Sequence, residues 1–120
     1  MTVGQVPLET VHAVRDSCLC LHTQRAARAL ARRFDAALRP VGLTQGQFSL
    51  MMALSAPKPP TLGEVAALLA MDRTTVTAAL KALDRRGLVS IGRDNTDGRA
   101  RRLSLTDAGR ARLVDAAEIW

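Results

Sequence analysis

Three groups of side chains in this 120-residue chain could do chemistry. The first is a set of hydroxyls and cations at helical spacing. At about 100° per residue, Thr74, Thr75, Ala78, Lys81, Ala82 and Arg85 share one side of a helix, opposite a narrow apolar face of Val76, Leu80 and Leu83. Small residues allow close approach to another surface, and Thr, Lys and Arg reach phosphates or base edges. A solvated amphipathic helix is the plainer reading of the same pattern. The second group is arginine around a turn: Arg93 before Asp94–Gly98, then Arg99, Arg101 and Arg102 after it. Guanidinium groups on a slender projection suit a narrow minor groove. The plainer alternative is a charged hairpin edge. The third group is Cys18, Cys20, His12 and His22.

The third group offers little. Cys18 and Cys20 are one residue apart and cannot bridge to each other in regular structure. They lie about 200° apart on a helix, so at most one faces a core. A reactive thiol needs cationic or donor-rich surroundings, and Arg15 and His22 are the neighbours in sequence. Packing is the plainer role. His22 could line a ligand cleft or be an ordinary interface residue. No Cys/His/Asp cluster has zinc spacing, and no cofactor is expected. Ser55-Ala56-Pro57-Lys58 matches S-x-x-K without its companion motifs, so no catalytic residue and no enzyme activity is expected.

The elements that would carry these groups are mostly helical. Apolar residues recur at three- and four-residue steps from Leu8 to Leu38, and Pro40 and Gly42 break the pattern. Thr44 to Gln47 reads as a capping box opening a helix with Phe48, Met51, Met52 and Leu54. Pro57, Pro59 and Pro60 end it, and Thr61 to Glu64 reads as a second capping box. A short helix follows, then the break Ala70–Asp72, then a helix over Arg73–Arg86 that Gly87 stops. The pattern then alternates: Val89 and Ile91, a turn, Leu103 and Leu105, which predicts a β-hairpin. Thr106-Asp107 opens a last helix with Gly109, Leu113, Ala116 and Trp120 on one stripe.

Charge narrows the partner. The net charge is +6 and the pI about 10.9, which favours a polyanion: nucleic acid first, an anionic membrane second. Asp72 to Leu113 holds ten Lys/Arg and five Asp/Glu, so +5 of the +6 sits there. Aromatic residues are only 2%, with no Tyr, too few for stacking on single strands. No apolar run reaches transmembrane length and no signal-peptide pattern opens the chain, so no membrane role and a cytoplasmic location are expected.

Met71-Asp72-Arg73-Thr74-Thr75-Val76-Thr77, Leu80, Leu83 and Arg86-Gly87-Leu88-Val89 resemble the recognition helix of the MarR-type multiple antibiotic resistance regulators. Asp97-Gly98-Arg99-Ala100-Arg101, then Leu103 to Thr106 and Gly109, resemble that family's wing and its exit. The likeness spans about residues 10–120 and departs at Asn95, where the family often has Pro. It implies a mainly α fold: a winged helix-turn-helix with a two-stranded β-hairpin wing and a helical dimerisation region. The domains expected are an N-terminal dimerisation helix at 8–40, a DNA-binding domain at 44–105, and the start of a C-terminal dimerisation helix at 106–120, cut off in mid-pattern at Trp120. It also implies a homodimer on double-stranded, pseudo-palindromic operator DNA, usually repressing, and released by a small anionic or phenolic effector or by cysteine oxidation. By matching position, Arg73, Thr74, Thr75, Thr77 and Lys81 would face the major groove or its phosphates. Arg99, held by Asp97, would enter the minor groove, with Arg85, Arg93 and Arg101 as further cations. Cys20 falls where the peroxide-sensing branch carries its reactive cysteine, though those sensors use Tyr hydroxyls that this chain lacks.

Overall fold

The computed structural model describes residues 4–55, 57–93 and 101–120, with Arg93 by its backbone alone. The chain divides into two compact units, Met1–Arg33 and Phe34–Trp120.

The N-terminal unit holds α1 (Leu8–Ser17) and most of α2 (Leu19–Leu38). The sequence predicts one continuous helix here, and the structure breaks it at Cys18, whose ψ of 112° is extended. The cause is local. Ser17 Oγ donates back to the Ala13 carbonyl at 2.5 Å, a bond that competes with the helix ladder. His22 Nε2 lies 2.8 Å from the Arg15 carbonyl, the acceptor that a continuous helix would give to Leu19. A carbonyl only accepts, so Nε2 carries the proton. None of α1 is buried, and Val11 and Val14 are about half exposed.

The second unit is built on a single core. After α2, a 3-10 turn (Arg39–Val41) leads through Gly42 to α3 (Gln45–Ala53). Thr44 and Gln47 form the full capping box, and the Asp35 carboxylate accepts from the Gln45 N–H at 2.7 Å. Then come α4 (Leu62–Leu69), α5 (Arg73–Arg85), β1 (Val89–Arg93), β2 (Arg101–Leu105) and α6 (Asp107–Ile119). Leu38, Met51, Val65, Val76, Leu83, Leu88, Val89, Leu103 and Ala116 are almost wholly buried among these elements. The strands are antiparallel with Val89 opposite Leu105 and Ile91 opposite Leu103, so one face of the hairpin enters the core.

Two joints seat the hairpin. On its outer side β2 meets the proline connector: the Leu103 N–H donates to the Pro60 carbonyl at 3.0 Å, and Arg102 Nη1 to the Pro59 carbonyl at 2.9 Å. On the other side α6 presses against the start of β1. Thr106 caps α6 and donates to the Leu88 and Gly87 carbonyls, and buried Gly109 lies so close that a Cβ there would stand 2.0 Å from Leu88 O.

One expectation changes. Thr61 caps α4 through the Glu64 N–H, but only this half of the box forms, because the Glu64 carboxylate lies 3.9 Å from the Arg102 guanidinium instead. Met52 is exposed on α3, whose buried residues are Phe48, Leu50 and Met51. Trp120 caps the end of α6 and is 76% exposed, beyond the packed stretch Gly109, Leu113 and Ala116.

Candidate nucleic-acid interface

α4 and α5 are joined by a tight turn, Ala70–Asp72, in which Ala70 takes the left-handed conformation at φ 54°. The Met71 N–H donates back to the Ala66 carbonyl, which closes α4. Asp72 then opens α5. Its Oδ1 accepts from the Thr75 N–H at 2.8 Å, and the Thr75 hydroxyl donates to Oδ1 and Oδ2 at 3.0 and 2.9 Å. At the far end the Leu88 N–H reaches the Leu83 carbonyl and the Gly87 N–H reaches Asp84, the paired bonds of a Schellman motif. The recognition-type helix is thus fixed at both termini by residues that the sequence marks.

Val76, Leu80 and Leu83 are buried, which turns the other side of α5 outward. Arg73, Thr74, Thr75, Ala78, Lys81 and Arg85 are exposed there, and Thr77 is half-buried. The Arg73 guanidinium folds over the first turn of α4, where a Cβ on Gly63 would stand 2.9 Å from Nη2. Thr75 commits its one hydroxyl hydrogen to Asp72, so what it offers outward is a methyl group and acceptor lone pairs.

Arg101 continues the strand face of Leu103 and Leu105 past the edge of the core and is exposed. It meets Thr77, Lys81 and Asp84 around a cleft of about 510 Å³ floored by Leu62, Leu80, Ile91 and Leu103. The Arg93 side chain, Asp97 and Arg99 lie outside the described residues. Cys20 and His22 belong to the N-terminal unit. Cys20 is exposed, with Gln24 Nε2 donating to its sulfur at 3.2 Å.

Sequence reasoning missed that four arginines of the basic stretch bind carbonyls. Arg86 Nη2 donates to Gly42 O at 2.8 Å, Arg112 Nη1 to Val41 O at 3.0 Å, Arg102 to Pro59 O, and Arg110 Nη1 to Leu105 O at 2.9 Å. Arg110 also pairs with Asp107. Only that last pair, three residues apart, left a signal in the sequence. Among the described residues no group of three His, Cys, Asp or Glu could hold a metal, and no helix is long and apolar enough to cross a membrane.

Backbone and hydroxyl hydrogen bonds from Thr75, in that order of weight, hold the Asp72 carboxyl below the usual aspartate value. A depressed carboxylate stabilises the fold above its ordinary pKa, and that contribution is lost as pH falls through the depressed one. Asp72→Ala is therefore expected to lower the urea midpoint at neutral pH, with the gap to wild type narrowing as pH falls below the ordinary aspartate range. Asp72→Asn, which keeps a capping oxygen and loses the charge, is expected to fall between Asp72→Ala and wild type at neutral pH. A gap of equal size at neutral and low pH would mean that the ionised carboxylate is not the cap.

A short helix, a tight turn, a second helix with its polar side outward, and an antiparallel hairpin on the same core together make a winged helix-turn-helix, as the sequence predicts. The model of the MarR family matches residues 41–100. Among solved structures, the Mycobacterium tuberculosis transcriptional regulator MosR in complex with DNA is 42% identical, with a TM-score of 0.80 over 87% of this chain and 75% of its own. The transcriptional repressor CouR, bound to a 23-mer DNA duplex, is 31% identical, with a TM-score of 0.78 over 97% of this chain and 79% of its own. A curated relative, the HTH-type transcriptional regulator TtmR of Methylorubrum extorquens (strain PA1), is 34% identical over 95 residues. That match covers 79% of this chain and about half, 49%, of the relative. The chain belongs to the MarR family.

Proposed function

We propose that this protein is a cytoplasmic, sequence-specific transcriptional regulator that binds a pseudo-palindromic operator as a homodimer and represses the genes beside it. The observation that carries the reading is the outer side of α5, where exposed hydroxyls and cations stand over fully buried Val76 and Leu83. Small Ala78 at its centre leaves room for the groove edge. That MosR and CouR were solved on DNA with this fold supports it. In the homodimer the helices at 8–40 and 106–120 would meet a second copy, and exposed Val11, Val14, Leu30, Val114, Ile119 and Trp120 supply the apolar surface. The two copies of α5 would then stand roughly 34 Å apart, one turn of DNA.

The test is a fluorescence-anisotropy titration at physiological salt, with duplex from the gene's own promoter against a scramble of equal length. Specific regulation predicts binding to the promoter at least about a thousandfold tighter. Lys81→Ala is expected to weaken binding to both and to reduce the salt slope by about one unit. Equal, salt-sensitive binding to both duplexes would replace the regulator reading with a non-specific architectural one.

The signal has two candidates. The cleft beside α5 has an apolar floor and, around it, the cations Lys81 and Arg101 with the single carboxylate Asp84, a net positive lining that suits a small anionic or phenolic effector. Exposed Cys20, hydrogen-bonded by Gln24, favours thiol sensing. One DNA-release assay separates them: aromatic carboxylates or phenols free the duplex in the first case, and peroxide does so in the second.

A further inference from the structure

The far end of α5 is tied to a corner that lies distant from it in sequence. Arg86, the C-cap of α5, crosses to Gly42, 44 residues earlier, and donates to its carbonyl at 2.8 Å. Its Nη1 also approaches Gln47 Oε1 at 3.4 Å, the same oxygen that accepts from the Thr44 N–H in the capping box of α3. Arg112 comes to the neighbouring carbonyl, Val41, from α6. Gly42 itself sits at φ 71°, and a Cβ there would stand 3.3 Å from Arg86 Nη2 and 3.1 Å from Arg112 Nη1. Among the described residues no carboxylate pairs with either guanidinium.

We infer that Arg86, with Arg112 beside it, is a positioning residue for base readout. It fixes the C-terminal end of α5 to the Val41–Gly42 corner and so sets where the N-terminal residues of α5 stand in the groove. The inference rests on the specific-regulator reading given above. The physics is that of a lever. α5 is 13 residues, about 20 Å long, and rests on the buried stripe Val76, Leu80 and Leu83, so a small rotation on that stripe released at Arg86 displaces Arg73 and Thr74, which lie beyond its other end. Hydrogen bonds to base edges tolerate displacements of only a few tenths of an ångström, as the narrow range of good donor–acceptor distances requires. Attraction to phosphates in water falls off slowly and tolerates more. Loosening the clamp should therefore cost selectivity before it costs general affinity.

The charge-preserving variant Arg86→Lys separates these terms, because lysine keeps the positive charge and loses the planar fork that spans Gly42 O and Gln47 Oε1. The probes are a short duplex enriched from a random library by the wild-type protein and a shuffled duplex of the same composition. Arg86→Lys is expected to bind the enriched duplex about tenfold more weakly, while binding to the shuffled duplex and the salt slope stay as in wild type. Arg112→Lys is expected to move the same ratio in the same direction, and it serves as the test should Arg86→Lys fail to fold. Unchanged binding of the enriched duplex by both variants would overturn the inference, as would an equal loss on both duplexes, which would mark Arg86 as a phosphate contact or a general stabiliser. If the wild-type protein enriches no sequence, the regulator reading fails at that earlier step and the positioning role falls with it.

Discussion

Replacing Gly109 with alanine is expected to lower the stability of the second unit by on the order of 3 kcal/mol, the upper end of what overpacking a close joint costs. The added Cβ would stand 2.0 Å from Leu88 O and 3.0 Å from Leu88 C, and both are backbone atoms that no rotamer change can move. To relieve the clash α6 must lift away from β1. The Thr106 N–H bond to Leu88 O, at 3.1 Å, and the Thr106 hydroxyl bond to Gly87 O, at 2.6 Å, would be strained with it. Gly46→Ala is the matched control, since its nearest neighbour would be Thr44 Oγ1 at 3.9 Å and it lies inside α3. There the better helix propensity of alanine should leave stability unchanged or raise it by up to about 1 kcal/mol. Thermal unfolding reads the difference. A drop of more than about 10 °C for Gly109→Ala is expected in a unit of this size, and equal midpoints for the two variants would mean that α6 does not seat on Leu88 as described.

Leu83→Ala is expected to cost about 3 kcal/mol, through lost apolar burial and the cavity left beneath α5. Leu83 is 0% exposed and lies beside Val76 and Leu80 in the stripe that holds α5 on the core. Leu68→Ala removes the same atoms from a side chain that is 70% exposed on α4, and it should change stability by no more than about 0.5 kcal/mol. Urea midpoints of the two variants make the comparison. Similar losses would contradict the assignment of which face of each helix is inward.

What the sequence made legible was local. Thr44, Thr61, Asp72 and Thr106 each cap a helix by reaching an N–H three residues on, so donor and acceptor sit in one short window. Val76, Leu80 and Leu83 fall on one side by helical periodicity alone, and Val89, Ile91, Leu103 and Leu105 alternate as a half-buried hairpin must. What escaped depended on partners far along the chain. Nothing near Arg86 or Arg112 announces a carbonyl at position 41 or 42. Glu64 looked like the second half of a capping box because Arg102, 38 residues on, was not in view. The break at Cys18 was hidden for a different reason: apolar periodicity runs straight through it, and the Ser17 and His22 side chains decide the matter by taking carbonyls of α1. Thr75 was readable in type and not in role. Its position on the outer side of α5 follows from periodicity, whereas its bond to Asp72 follows from the cap geometry.

The two corner arginines also bear on how fast a polyanion arrives. Arg86 and Arg112 have their N–H groups on backbone carbonyls, yet each keeps a full positive charge that no carboxylate among the described residues neutralises. A charge held in that way still adds to the long-range field, which raises the rate of diffusional encounter. It adds much less to the lifetime of the complex, which depends on the groups that touch DNA. On the proposed reading the basic residues would divide kinetically into two sets: Lys81, Arg85 and their exposed neighbours, which would act on dissociation, and the Arg86–Arg112 pair, whose charge would act chiefly on association and fade with rising ionic strength.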